Sequence, residues 1–352
     1  MDIYVLNTDL ERIGIIDTYV SLIWTKRYYK PGDFELYVPA SVEILEILKH
    51  NNYLQRDDDD RIMIIERLEI KTDAENGNYI IASGRSAESL IARRIVWKQT
   101  NLSGTVESCI RQIIDENCIT TTATDARRQI PLLKLGTESG FTETMTQQLR
   151  GDNVAEWLET VCMTYGWGWK ITLDNGEFVF SLINGIDRTY ENAAGTPYVT
   201  FSPDFDNLVN SNYVHDTTNF KNSALVLGEG EGTARRGISA GLIGDSYLNR
   251  YEVYVDARDV SSNDGEIPVH EYYELLLERG TQVLSESTIT ELFDGEVDYT
   301  GIYKYKSDYD IGDIIQIENE YGIKATSRII EIIEKDDETG YSVTPTLQAW
   351  EV

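Results

Sequence analysis

The chain has 352 residues, with 31 basic and 60 acidic side chains and a formal net charge of -29. At 41% hydrophobic and 26% charged residues it has an ordinary globular composition, which excludes wholesale disorder, and its length corresponds to about two to three domains. The acidity excludes a general nucleic-acid-binding surface, because DNA affinity comes from Lys and Arg neutralising phosphates, and it argues against docking on anionic lipid.

The first hundred residues read as mostly β. Segments 3–6, 19–29 and 34–38 are rich in Tyr, Ile, Val and Thr, with Pro31-Gly32-Asp33 as a turn between the last two. Ser41 caps a short helix through SVEILEILKH. Strands 62–71 and 79–83 flank a turn whose Asn76-Gly77 is a hairpin signal. A short helix from about Ser86, SAESLIARRIV, closes this part.

From about residue 101 the period changes. SGTVESCIRQIIDENC predicts a helix with Val106, Ile110, Ile113 and Ile114 on one face. Asp152 opens another, DNVAEWLETVCMTYG, which ends at Gly166. Segments 168–173 and 178–183 form a hairpin around Asp174-Asn175-Gly176. Strand signal returns at 210–215, Ser223–Leu227 and 251–256. One long helix follows Pro268, with Tyr272, Leu276 and Val283 on a stripe and Gly280 as a weak point inside it. Strands at 289–294, 313–318, 325–333 and 340–347 complete the chain. The expected fold class is α+β and β-rich, with helical inserts between β modules.

Cys109, Cys118 and Cys162 are too few for a disulfide scaffold and read as buried or semi-buried structural thiols. The N-terminus has neither a basic n-region nor an apolar h-region, so no secretory signal is expected. No apolar run approaches the roughly 20 residues that span a bilayer, so no membrane anchor is expected.

The residues that bear chemistry are scattered. His50, His215 and His270 have no HExxH partner, and no GxSxG elbow supplies a serine for His215-Asp216. Cys162 has no adjacent base, and its spacing from Leu158 suggests core. Asp57 to Asp60 is a run that could hold a cation, but it lacks the alternating ligands of a calcium loop and reads as a solvated turn. The segment from Asp308 to Asp313 is rejected as a calcium loop for want of its distal Glu. No catalytic residue, metal or cofactor is expected.

Twenty-two tyrosines suggest half-buried strand packing or an interface. Trp167 and Trp169 suggest core beneath the 152–166 helix. In LGEGEGTARR the glycines at 228, 230 and 232 have the wrong spacing for a dinucleotide loop, and Glu229 and Glu231 would repel phosphate. If that stretch is extended, both carboxylates share one face. Arg235 and Arg236 follow, and with Glu229 and Glu231 they are candidates for an inter-protomer contact or, in a chain that lines a channel, for its lumen.

Taken in order, several segments resemble the tail-associated hub proteins of siphophages. They are YYKPGDFELYVPAS, NGNYIIASGRSAESLIARRIV, the middle hairpin running into INGIDRT, ALVLGEGEGTARR and DYDIGDIIQIENEYGIKATSRIIEIIE. That family is similar to the hubs of contractile tails and to the N-terminal hub region of tail-associated lysins. The resemblance implies two tail-tube-like β-barrels per protomer: the first over 1–100, the second over 199–250 and 287–352. An inserted α/β domain at 101–198 and a helical insert at 251–286 would decorate them.

It also implies a homotrimeric ring that joins a hexameric tail tube or distal tail protein to a trimeric spike or fibre. A tape-measure protein would be a further partner, and genomic DNA would pass through if the particle is a phage. The location would be a virion tail tip, or the baseplate of a bacteriocin particle, assembled in the host cytoplasm. Many relatives continue into a peptidoglycan-cleaving or fibre-like region, and an ending at Val352 leads to the expectation of a hub without lysin activity. The alternatives are a tail-associated cell-wall hydrolase, suggested by the abundant carboxylates, and a glycan- or receptor-binding tail adaptor, suggested by the aromatics.

Overall fold

The computed structural model describes residues 1–73, 77–241, 246–297, 301–322 and 324–349. Asn76 of the expected hairpin turn lies outside the described residues. The fold is α+β and β-rich.

The first part contains β1 (Ile3–Leu6), β2 (Arg12–Ile16), β3 (Ser21–Arg27), β4 (Asp33–Pro39), α1 (Val42–Ile47), β5 (Tyr53–Arg56), β6 (Ile62–Asp73) and β7 (Gly77–Ser86). Its strands run β2-β1-β5-β6-β7-β4-β3. Alternate residues turn inward, as period-two side chains must. Val5, Trp24, Leu36, Leu54, Met63 and Ile80 thereby meet in one core. A bulge between Ile65 and Arg67 bends β6. Gly84 sits opposite it, where a Cβ would lie 1.9 Å from Ile64 O, so no larger residue fits.

The next part holds β8 (Thr100–Thr105), α2 (Val106–Ile114), β9 (Leu133–Leu135), β10 (Thr144–Leu149), α3 (Val154–Tyr165), β11 (Gly168–Asp174) and β12 (Glu177–Ile183). Its core is continuous with Tyr28, Tyr29, Ile62 and Ile64 of the first part. The expected helix from 103 begins only at Val106. Residues 100–105 pair with β10 instead, and Thr105 caps α2 by accepting from Ser108 N at 3.2 Å.

Asn153, not Asp152, caps α3, accepting from Ala155 N at 3.0 Å and Glu156 N at 3.4 Å. Gly166 ends that helix at φ +73°. The helix expected after Ser86 is a 3-10 segment, Ala87–Arg93, with Glu88 and Ser89 buried against the core.

The last part is discontinuous. β13 (Thr200–Phe201) and β14 (Leu208–Asp216) precede it, and β18 (Thr290–Val297), β19 (Ile314–Glu318), β20 (Lys324–Asp337) and β21 (Gly340–Ala349) complete it. Strands run β14-β18-β21-β20-β19-β13 around Phe201, Ile315, Ile329 and Leu347. β20 also pairs with β3, from Glu331 opposite Arg27 to Asp337 opposite Ser21. First and last parts therefore share one thirteen-stranded sheet with β2 and β14 at its ends.

Between β14 and β18 lie β15 (Ser223–Leu227), β16 (Gly237–Gly241), β17 (Glu252–Asp256) and α4 (Val269–Glu286). β15 and β16, grouped with the second barrel by sequence, pair with each other in a separate sheet under α4, in which β15 also pairs with β17. Gly280 is explained by that packing, since a Cβ would lie 2.7 Å from both Ala240 Cβ and Val226 Cγ2. Among the described residues no helix is long and apolar enough to cross a membrane.

Candidate functional site

The densest cluster of ionised side chains lies where the first, second and last parts meet. β3 brings Lys26, the end of β5 brings Arg56, the turn to β6 brings Asp58 and Asp59, and β20 brings Glu334. Lys26 Nζ lies 2.7 Å from Asp59 Oδ2 and 3.5 Å from Glu334 Oε1. Arg56 grips Asp58 with Nε at 2.8 Å and Nη2 at 2.6 Å, and Nη2 also reaches Glu334 Oε2 at 2.8 Å. Tyr341 OH donates to that same oxygen at 2.7 Å. Lys306 Nζ donates to Asp58 O at 2.6 Å and lies 3.1 Å from Asp58 Oδ2. Lys170 of β11 pairs with Asp60, tying in the insert.

The electrostatics follow from burial and pairing. Burial opposes ionisation of Asp59, but the Lys26 ammonium and the Arg61 N–H outweigh it and hold the carboxyl below its ordinary range. Asp58 is lowered too, burial being overcome by the Arg56 guanidinium and Lys306. Lys26 is raised, because Asp59 and Glu334 outweigh its own burial. Burial pushes Tyr305 upward, and the charges of Glu334, Asp310 and Asp59 add to it. The expectation of a solvated turn at Asp57 to Asp60 is thus corrected for Asp59: its side chain is fully buried, because the turn is folded against a lysine of β3.

A cleft of about 420 Å³ opens beside this cluster, lined by Lys26, Asp59, Lys170, Lys306 and Asp313 among others. Asp313 is engaged by Arg188 Nε at 2.6 Å and by Ile186 N at 2.8 Å. Tyr28 is buried behind the Ile183 and Gly185 wall of the cleft. Its hydroxyl donates toward Ile183 O at 3.2 Å and accepts from Gly185 N at 3.1 Å and from Arg328 Nη1 at 3.3 Å. Among the described residues no group of three or more His, Cys, Asp or Glu side chains is placed to hold a metal ion. Paired charges of both signs make this arrangement a clamp between parts of the chain. Sequence reading singled out Asp57 to Asp60 but missed Lys26, Arg56, Lys306 and Glu334. For Lys26, Arg56 and Glu334 the only signal is a charge at an inward strand position, visible once the register is known, and Lys306 lies in a turn.

The Gly-Glu loop is arranged differently from its expectation. β15 stops at Leu227, and Gly230 has φ +112°, so Glu229 and Glu231 do not share an extended face. The Glu229 carboxylate accepts from Ser262 N at 2.8 Å and Ser262 Oγ at 2.6 Å. Burial works against those bonds, and the bonds prevail, holding Glu229 below its usual range. Arg235 donates to Gly228 O at 2.9 Å, Tyr254 OH at 2.7 Å and Asp256 Oδ1 at 2.8 Å. Arg236 lies over the Tyr272 ring at 5.2 Å, and Glu231 is exposed. Glu229 and Arg235 thus stitch the 223–286 unit internally, while Glu231 is turned outward.

His50, His215 and His270 are all exposed. The three cysteines are free and buried, and burial pushes the Cys118 thiol up to about 12. Trp167 and Trp169 are in the core, the first stacked on Phe141 at 4.1 Å and the second donating to Tyr29 O at 2.6 Å.

Comparison with known proteins decides the family. The family described as siphovirus ReqiPepy6 Gp37-like protein matches residues 2–347. The chain belongs to that family. As a Gp37-like protein it is a member of a siphovirus protein family.

Solved structures agree on the fold of this Gp37-like chain. A 43 kDa tail protein of prophage MuSo2 from Shewanella oneidensis superposes with a TM-score of 0.59 at 14% identity, covering 99% of this chain and 98% of that one. A tail protein from Neisseria meningitidis MC58 gives 0.57 at 13%, covering 98% and 95%. The prophage tail protein gp18 from Listeria monocytogenes EGD-e gives 0.54 at 16%, covering 99% and 94%. No curated protein matches the sequence.

Proposed function

We propose that this chain is a phage tail protein, the hub of the tail tip. Three copies close into a ring around a channel, joining a hexameric tube or distal tail protein to a trimeric spike or fibre. The chain acts by shape, without catalysis.

The observation that carries this reading is the single thirteen-stranded sheet, whose main path runs between the end strands β2 and β14, with β13 closing a side branch. Edge strand β2 presents Ile13 and Ile15, 40% and 47% exposed. An open edge bearing outward isoleucines invites pairing, and a neighbouring copy is the partner that covers it in a closed ring. The net charge of -29 supports a lumen along which DNA slides without adhering. Exposed Glu231 and neighbouring Arg236 are the residues we assign to that lumen or to the protomer contact.

Imaging of the assembled tail, with native mass measurement of the purified chain, tests the reading. A three-copy ring at the tip is expected, and Ile15→Lys should reduce ring yield without unfolding the monomer. A particle whose tip contains the chain as isolated monomers would overturn it.

A further inference from the structure

The 223–286 unit is seated on the insert along a seam that is largely polar. α4 turns Tyr272 and Leu276 onto its own sheet, and its next stripe, Glu278, Gln282 and Ser285, faces α3 and β10. Trp157 Nε1 donates to Gln147 Oε1 at 2.7 Å, and Gln147 Nε2 donates to Gln282 Oε1 at 2.7 Å. Thr160 Oγ1 donates to Glu286 Oε1 at 2.9 Å, and the Thr164 and Ser285 hydroxyls are 2.8 Å apart. Ser261 N donates to Gln148 Oε1 at 2.9 Å. The apolar clusters on the two sides remain separate. Polar contacts of this kind are those across which domains move. The unit is tethered by two short segments, 217–222 and 287–289, bridged by Lys221 N donating to Ser287 O at 2.8 Å.

The seam is also acidic. Glu156 of α3 and Glu286 of α4 line its groove, Glu278 of α4 lies near Tyr165 of α3, and Glu159 of α3 stands at the seam's margin, close enough to feel the Glu286 charge. Among the described residues no ion pair crosses from one unit to the other. Arg279, the cation of α4 nearest the seam, is held at 2.9 Å by Asp259 of its own unit. Lys30 stands 4.0 Å from Glu159, and Arg27 behind it is engaged by Asp33 and Glu331. The Tyr165 hydroxyl of α3 donates to Thr144 O at 3.4 Å and lies near Glu278, with Glu143 also near the tyrosine. Asp152 lies at the rim of the groove between the helices. Glu278 Oε1 is buried without a hydrogen-bond partner.

We propose that residues 223–286 form an arm whose seat on the insert is closed while Glu278 and Glu159 carry protons and opens as they ionise. Burial raises Glu278, and the nearby Tyr165 hydroxyl only partly offsets it. Burial also raises Glu159; Lys30 opposes, while Glu156 and Glu286 reinforce. A carboxyl that holds its proton more tightly when seated favours seating as pH falls and weakens it as pH rises through the seated value. Each unit of difference between seated and released states changes the seating constant about tenfold. This inference is independent of ring formation.

The test is an electron-spin distance measurement on the full chain, with labels on cysteines placed at Glu138 of the insert and Leu248 of the arm. Both positions are exposed, and the three native thiols are buried. The ratio of long-distance to short-distance molecules should rise about tenfold or more between about pH 5 and about pH 8.5. Glu278→Gln should flatten that rise. Glu159→Gln, at a side chain 33% exposed and so tolerant of replacement, should reduce it. One pH-independent distance in the parent chain, or a rise unaltered by either glutamine variant, would overturn the proposal.

Discussion

Arg56 and Glu334 meet at 2.8 Å across 278 residues of sequence, and neither side chain is more than 1% exposed. The contact joins the end of β5 to the C-terminal part of β20, so it forms only when the two halves of the large sheet have closed on each other. Lys26 and Tyr341 converge on the same carboxylate.

Glu334→Ala should therefore be among the most destabilising single changes in the chain. It takes one of two carboxylate partners from each of two buried cations, leaving Asp59 to Lys26 and Asp58 to Arg56, a loss of about 3 kcal/mol. Glu334→Leu combined with Arg56→Met should cost less than the sum of the two single changes. Denaturant unfolding of the four proteins measures the coupling.

Acid stability follows from Asp58 and Asp59. Both are held below their ordinary range in the folded chain. Their contribution is present above the unfolded carboxylate value of about 3.9 and is lost as pH falls toward the depressed folded values. A loss of melting temperature below about pH 4 is expected, and it should be smaller in Asp58→Asn. Melting curves over an acid series check both statements.

Gly280→Ala raises helix propensity yet should destabilise the 223–286 unit. The new methyl meets Ala240 and Val226 at 2.7 Å. Overpacking of this kind costs about 1–3 kcal/mol, more than the roughly 1 kcal/mol that alanine gains in a helix. Faster amide exchange confined to 223–286 is the expected readout.

The two loop glutamates should behave differently. Glu229→Lys removes the acceptor of both Ser262 bonds and should lower the melting temperature of the purified chain. Glu231→Lys alters an exposed side chain and should leave melting unchanged while lowering ring yield. Equal effects on melting would show that the loop does not divide its work in this way.

All three thiols should resist a disulfide-exchange reagent in the native state and react together on unfolding. Each is buried and raised by desolvation, so little thiolate is presented to solvent. A thiol that reacts before the unfolding transition would mark a local opening of the insert.

Local chemistry in the sequence determined much of this protein. Alternating apolar residues specified β3, β4 and β12, a left-handed glycine ended α3 at Gly166, and the order of segments pointed to the tail family. Short-range signals misled where a neighbour took over. Residues 100–105 extend because β10 offers them a partner, and Asn153 displaces Asp152 as cap by one residue.

What only the tertiary structure decided is the pairing of distant elements. That β3 joins β20, that Asp59 turns inward to Lys26, and that β15 leaves the large sheet for α4 all depend on contacts distant in sequence, from 33 positions for Lys26 and Asp59 to 304 for Arg27 and Glu331. Such contacts leave no period in the sequence, because a strand's own pattern says which face is buried but not which strand lies beside it.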